Sequence, residues 1–255
     1  MTYRNALNFE WIKFRTLRSS WLTLLGAAVV MVLIGLILGY VASTSDWATL
    51  ESEDTMASAT VRGYLIAQLV VGVLGVLFVT SEYGTGLIRS TFAAVPRRWR
   101  VLTAKSVVLG VVLLVSMTLA SFAAFFAGQI FLSADGHGAS LTDPGALRAV
   151  AGVGLYLTLI GLLGGAIGWI VRSTAGAITA FVGLLLILPL LLGFLPAGLG
   201  SEIAKFLPEA AAEGFLTSGP EADGLGPWTG IGVVALWAGL SCGVAAVLVR
   251  RRDLS

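Results

Sequence analysis

One cysteine and one histidine in 255 residues leave no means of building a disulfide framework or a His/Cys metal cluster. Cys242 sits alone in the last apolar run and reads as a packing residue; His137 lies in a turn between two glycines. Lysine is scarce as well. The three lysines follow Ile12, Ala104 and Ala204, so no G-x-x-x-x-G-K-[ST] loop exists to cradle a nucleotide phosphate. G-x-S-x-G and H-E-x-x-H are missing too, and the chain reads as non-catalytic, with no metal or cofactor of its own. Charge is thin throughout: 12% Asp, Glu, Lys and Arg against 57% hydrophobic residues, with a mean hydropathy of +0.92. Those proportions lie outside the soluble globular range and belong to a membrane protein.

The few charges fall in short blocks. Between them lie six charge-poor windows, near 21–41, 63–80, 101–132, 147–171, 173–199 and 228–249. Each is long enough to cross a hydrocarbon core about 30 Å thick, which takes roughly 20 helical residues. Windows four and five are parted by little more than Arg172, Ser173 and Thr174, but 149–201 is too long for one span. The expected fold is therefore an all-α integral membrane domain of six transmembrane helices. Its parts are an N-terminal segment at 1–20, helices 1–2 over 21–80, a loop at 81–100, helices 3–5 over 101–199, an outer loop at 200–227, and helix 6 with a basic tail over 228–255.

Sidedness follows from where Lys and Arg collect. Placing both termini, the 81–105 stretch and the Arg172 turn on one side puts thirteen of the sixteen basic residues there, leaving Arg62, Arg148 and Lys205 opposite, with eleven of the fourteen acids. Both termini are expected to be cytoplasmic. The net charge of +2 thus sums two populations separated by a membrane and gives no reason to expect nucleic acid as a partner. The N-terminal basic and apolar run is too long for a signal-peptide h-region of roughly 7 to 15 residues. In 6–21, Leu7, Trp11, Phe14 and Trp21 recur near helical spacing. That pattern fits a helix on the cytoplasmic interface, and equally a positive flank with aromatic belt residues.

Gly161, Gly164, Gly165 and Gly168 form one smooth side of the fourth helix, and Gly35 and Gly39 do the same on the first, as close helix packing requires. Pro189 is expected to bend the fifth helix. In the outer loop, Ile203, Phe206 and Leu207 precede Pro208 and Glu209, which predicts a short amphipathic piece and then a helix with Pro at its first position; it either dips into the interface or caps it. No Asp, Glu, Lys, Arg or His lies well inside a window, which argues against a proton-coupled carrier and an intramembrane protease. Ser116, Thr118, Ser121 and Gln129 on the third helix are candidates for lining a pathway or for bonding between helices.

One polar and basic stretch stands out, SEYGTGLIRSTFAAVPRRWRVLTAK at 81–105. At helical period, Leu87, Ile88, Thr91, Phe92 and Val95 share one side of 82–95, and Glu82, Gly86, Arg89 and Ala93 another. Gly84 and Gly86 predict a bend where the second span turns into the interface, and Pro96 closes the segment. Such a helix docks into a partner's groove or lies on anionic headgroups. Glu82 and Arg89 are too far apart for an ordinary i, i+4 pair, so each is expected to meet a partner or a neighbouring segment.

The run EYGTGLIRST, followed by AAVPRRWRVLTAK and preceded by the N-terminal EWIKFRTLRSSW, resembles the ABC-2-type permease subunits of bacterial ABC transporters, actinobacterial ones in particular. The resemblance covers the whole chain. It implies a permease of the bacterial plasma membrane, mostly an exporter, working as a homodimer or with a paralogue. A separate ATP-binding subunit binds ATP and Mg and meets the loop between helices 2 and 3, the coupling helix. By that resemblance Glu82, Gly84, Thr85, Gly86, Arg89, Ser90 and Thr91 contact the ATP-binding subunit or set the bend. The residues alone leave open a nucleotide-independent channel or secondary carrier, and a membrane scaffold or sensor subunit.

Overall fold

The computed structural model describes residues 3–44, 59–87, 98–134, 138–196, 198–217 and 224–251. The order is α1 (Tyr3–Thr16), α2 (Arg18–Thr44), α3 (Tyr64–Gly84), α4 (Arg98–Ala134), α5 (Ala146–Val171), α6 (Thr174–Leu192), α7 (Leu199–Ala204), α8 (Pro208–Leu216) and α9 (Pro227–Arg251). Six of these, α2 to α6 and α9, are long and apolar enough to cross a membrane, in agreement with the six windows. With 37 residues, α4 rises roughly 55 Å and so projects beyond a hydrocarbon core.

The centre of the bundle is α5, packed against α3, α4 and α9. Its glycines do what their spacing predicts. A Cβ on Gly164 would stand 2.2 Å from the carbonyl oxygen of Gly72 on α3, so the two backbones touch where side chains would hold them apart. Gly39 of α2 meets Gly128 of α4 in the same way, its added Cβ falling 2.3 Å from the Gly128 carbonyl oxygen. By contrast α2, α6 and α9 turn most of their surface outward. The candidate pathway residues on α4 are spent on packing: Ser121 donates to the Val150 carbonyl of α5 at 2.7 Å, Ser116 to its own helix at Val112, and Gln129 Oε1 accepts from Ala139 N–H at 2.9 Å.

The Arg172 break is sharp. Arg172 takes a left-handed conformation at φ 60°, ending α5, and the Ser173 hydroxyl accepts from Gly176 N–H to start α6. Further along, Pro189 has no N–H to give its helix. The preceding turn widens into a π segment, Gly183–Ile187, in which Leu188 N–H bonds back to the Gly183 carbonyl.

In the connection from α6 to α9, the described residues of α8 pack against the bundle. Pro208 stands at the first position of α8, as its sequence predicts, and Ala211, Ala212, Phe215 and Leu216 are buried against α5 and α9. Trp237, about 15 Å along α9 from its start, donates its indole N–H to the Phe206 carbonyl at 2.9 Å. Glu209 on α8 accepts from Gln68 Nε2 at 2.7 Å, and Gln68 Oε1 accepts from the Tyr156 hydroxyl at 2.5 Å. Tyr156 lies about 15 Å along α5 from its start, so the bonds running back from Glu209 tie the connection to the body of that span.

The α3–α5 contact carries a direct test. Gly164→Val should cost about 1–3 kcal/mol by forcing the backbones apart, whereas Gly243→Ala, in open space, should leave stability unchanged or slightly raised. Thermal melts of the detergent-solubilised chain read both; equal melting points would contradict the close approach.

Candidate functional site

Both termini of the helical bundle, the α3–α4 connection and the Arg172 turn gather at one end, the basic end. There Lys105, on the second turn of α4, is 1% exposed. A cation so enclosed must find carboxylates, because desolvating it costs several kcal/mol. It finds two: Glu82 Oε1 from the last turn of α3 at 2.5 Å and Glu10 Oε2 from α1 at 2.8 Å. Lys13, one turn beyond Glu10, places its ammonium 2.5 Å from the same Glu82 oxygen. Two ammoniums and two carboxylates cancel. Lys105 Nζ also lies 3.3 Å from the Phe78 carbonyl and 4.2 Å from the centre of the Phe78 ring.

Aromatic packing closes the cluster. Phe14 of α1 meets Phe78 of α3 and Trp21 of α2 edge-on, with ring centres 5.4 and 5.6 Å apart. The face of α1 that packs is thus Ala6, Glu10 and Phe14, while Trp11, expected on that face, is exposed. A second patch, Val79, Val101, Leu102, Trp169, Ala245 and Val249, joins α3, α4, α5 and α9 at the same end. Thr174 of α6 donates its hydroxyl to that of Thr80 on α3 at 3.0 Å. Arg172 lies over the Tyr83 ring at 5.7 Å. All six spans and α1 are therefore tied together at this end.

Next comes the exit from α3. The helix runs through Gly84; Thr85 caps it, its N–H and hydroxyl both bonding to the Ser81 carbonyl, at 3.2 and 2.9 Å. Gly86 follows at φ +72°, a conformation that favours glycine, and redirects the chain. The expected bend thus falls at Gly86. The same geometry places Glu82 within α3, ahead of the left-handed Gly86, so the expected helix does not run unbroken from Glu82; its remainder, 88–95, lies outside the described residues. Glu82 meets neighbouring segments of its own chain, α1 and α4, and is 4% exposed. Gly84, Thr85 and Gly86 stand exposed beyond it, while Arg89, Ser90 and Thr91 lie outside the described residues.

The profile of the family described as ABC-2 family transporter protein matches residues 6–186, which takes in α1 to α5, the α3–α4 connection and most of α6. The chain belongs to that family. It is an ABC-2-type permease, a multi-pass membrane subunit, which in a bacterium resides in the plasma membrane. No curated protein matches it.

Sequence reasoning about the permease missed Glu10, Lys13 and Lys105 as a group. Two signals were there to be read: Glu10 is an acid in a basic N-terminal segment, three residues before Lys13, and Lys105 is carried into an apolar helix. Lys105→Met should destabilise the permease by about 3–5 kcal/mol, because it leaves an uncompensated buried carboxylate. Adding Glu10→Gln restores charge balance, with Lys13 and Glu82 still paired, and should recover part of the loss. Unfolding curves in detergent for the single and double variants measure this; a purely additive double variant would contradict the coupling.

Proposed function

We propose that the permease is the translocating subunit of an ATP-driven exporter, with its termini and the α3–α4 connection on the cytoplasmic side. A separate ATP-binding subunit docks on the connection, binds ATP and Mg, and hydrolyses the nucleotide. This chain contributes no catalysis. A second permease copy or a paralogue completes the membrane pathway. The contact surface comprises Gly84, Thr85, Gly86, Arg89, Ser90 and Thr91, with Glu82 fixing the end of α3 from within.

The observation that carries the reading is the neutral charge cluster directly beneath the connection. A load applied at Thr85 and Gly86 meets a helix end held by Glu82 to both α1 and α4, so α3 moves with them as a body instead of fraying. Closure of ATP-bound partner subunits would then shift the spans between two packed arrangements, with the driving energy coming from the partner's different affinity for nucleotide in each. Export is favoured over import because the family the chain belongs to mostly exports, and the described part of the α6–α9 connection packs against the bundle instead of standing out from it.

Purifying the tagged chain from its native membrane in mild detergent, with Arg89→Cys crosslinking and mass spectrometry, should recover an ATP-binding subunit joined at position 89. Arg89→Glu should leave membrane insertion intact and weaken that complex and its ATPase activity severalfold. Recovery of the chain alone, with transport by the chain alone in vesicles, would instead make it a nucleotide-independent channel or carrier.

A further inference from the structure

At the opposite, acidic end, α3, α6 and α8 enclose a cavity of about 440 Å³. Its walls are mainly apolar, with Leu65 of α3, Leu185 and Leu186 of the widened α6 turn, and Leu216 of α8. Such a volume and lining are typical of small-molecule sites, which span roughly 300–1,000 Å³. Three charged side chains also line it: Glu209, half-buried, and Arg62 and Glu213, both exposed to its open side.

The two glutamates lie four apart on α8, about 5–6 Å between Cβ atoms, where like charges repel unless a cation sits between them. Among the described residues no ion pair joins either glutamate to a cation. Glu209 is oriented but not neutralised: its donor is the amide of buried Gln68, which is itself fixed by the Tyr156 hydroxyl. A carboxylate held this way, beside the apolar side chains of Leu65, Leu185, Leu186 and Leu216, is built to receive a positive charge.

We propose that this cavity binds an amphiphile carrying a protonated amine, its ammonium between Glu209 and Glu213 and its hydrocarbon against Leu65, Leu185, Leu186 and Leu216. Two sources supply that chemistry. An aminophospholipid would add a phosphate, which Arg62 can pair; a simple alkylamine would not use Arg62. The site rests on the proposed topology only for the side from which the ligand arrives. Binding is a property of this chain alone, so it stands or falls separately from coupling to ATP.

Calorimetric titration of the purified full chain in dodecylmaltoside at pH 7, corrected with protein-free micelles, tests it with dodecylamine, lysophosphatidylethanolamine and uncharged dodecanol. Saturable binding of dodecylamine is expected, weakened about tenfold by Glu213→Gln and retained by Glu213→Asp, with an unchanged melting point for both variants. Failure of dodecylamine to bind, equal binding of dodecanol, or an unchanged affinity in Glu213→Gln would overturn the proposal. Arg62→Gln then separates the sources. Loss confined to lysophosphatidylethanolamine supports a phospholipid ligand, and no loss for either amine supports simple amines in the same site.

Discussion

Lys105 cannot be left without a counter-charge, and much of the geometry of the basic end follows from supplying one. Its ammonium is enclosed by α1, α3 and α4, where an isolated charge would be too costly to fold around. Glu82 must therefore sit at the end of α3 facing inward, and Glu10 must be brought in by α1. That second requirement turns a short, strongly charged helix into a structural part. Without Glu10, α1 would have little beyond Phe14 and Ala6 to fix it; with Glu10, its rotation about its own axis is set. Lys13 then balances the sum.

Rigidity continues from this end to the other through α3 and α5. Their glycines let backbone meet backbone, and close-packed interfaces of this kind switch between arrangements instead of compressing. On α3, Glu82 at one end and Gln68 near the other are separated by about 21 Å of helix. Gln68 is the residue that holds Glu209. On the proposed coupling, a movement of α3 imposed at its Gly84 end would reach Glu209 of α8 through one helix and the Gln68 hydrogen bond. The widened turn of α6 sits across that cavity, where loosened helical hydrogen bonding makes rearrangement least costly.

What the sequence disclosed was whatever depends on local periodicity. Six spans, the reversal at Arg172, the start of α8 at Pro208, and the close-packing glycines are all written in short windows. The charge cluster is not, because its members lie in three separate segments and only a fold brings 10, 82 and 105 together. Lys105 counted as one more positive residue on the basic side, when its burial makes it a core residue. The helical wheel begun at Glu82 broke in its first turn for a local reason: a wheel assumes right-handed residues throughout, and Gly86 is not one. The helix that Glu209 opens was legible from Pro208, but its bond to Gln68 on α3 was not, because the two residues lie far apart in the chain.

The two ends treat charge in opposite ways, and the contrast separates a structural part from a binding part. At the basic end two cations meet two anions at hydrogen-bonding distance, so the cluster has little left to attract and serves to hold helices. At the acidic end two carboxylates and one guanidinium face the same cavity with no ion pair among them, leaving a net negative site inside apolar walls. Glu209 differs from a carboxylate that serves only solubility: it is half-buried and anchored, whereas Glu202 pairs with Lys205 at the surface. Anchoring Glu209 through Gln68 and Tyr156 instead commits two buried polar groups to orienting one carboxylate. Such an arrangement gains its return when a cation arrives, and the apolar lining requires that cation to carry hydrocarbon with it.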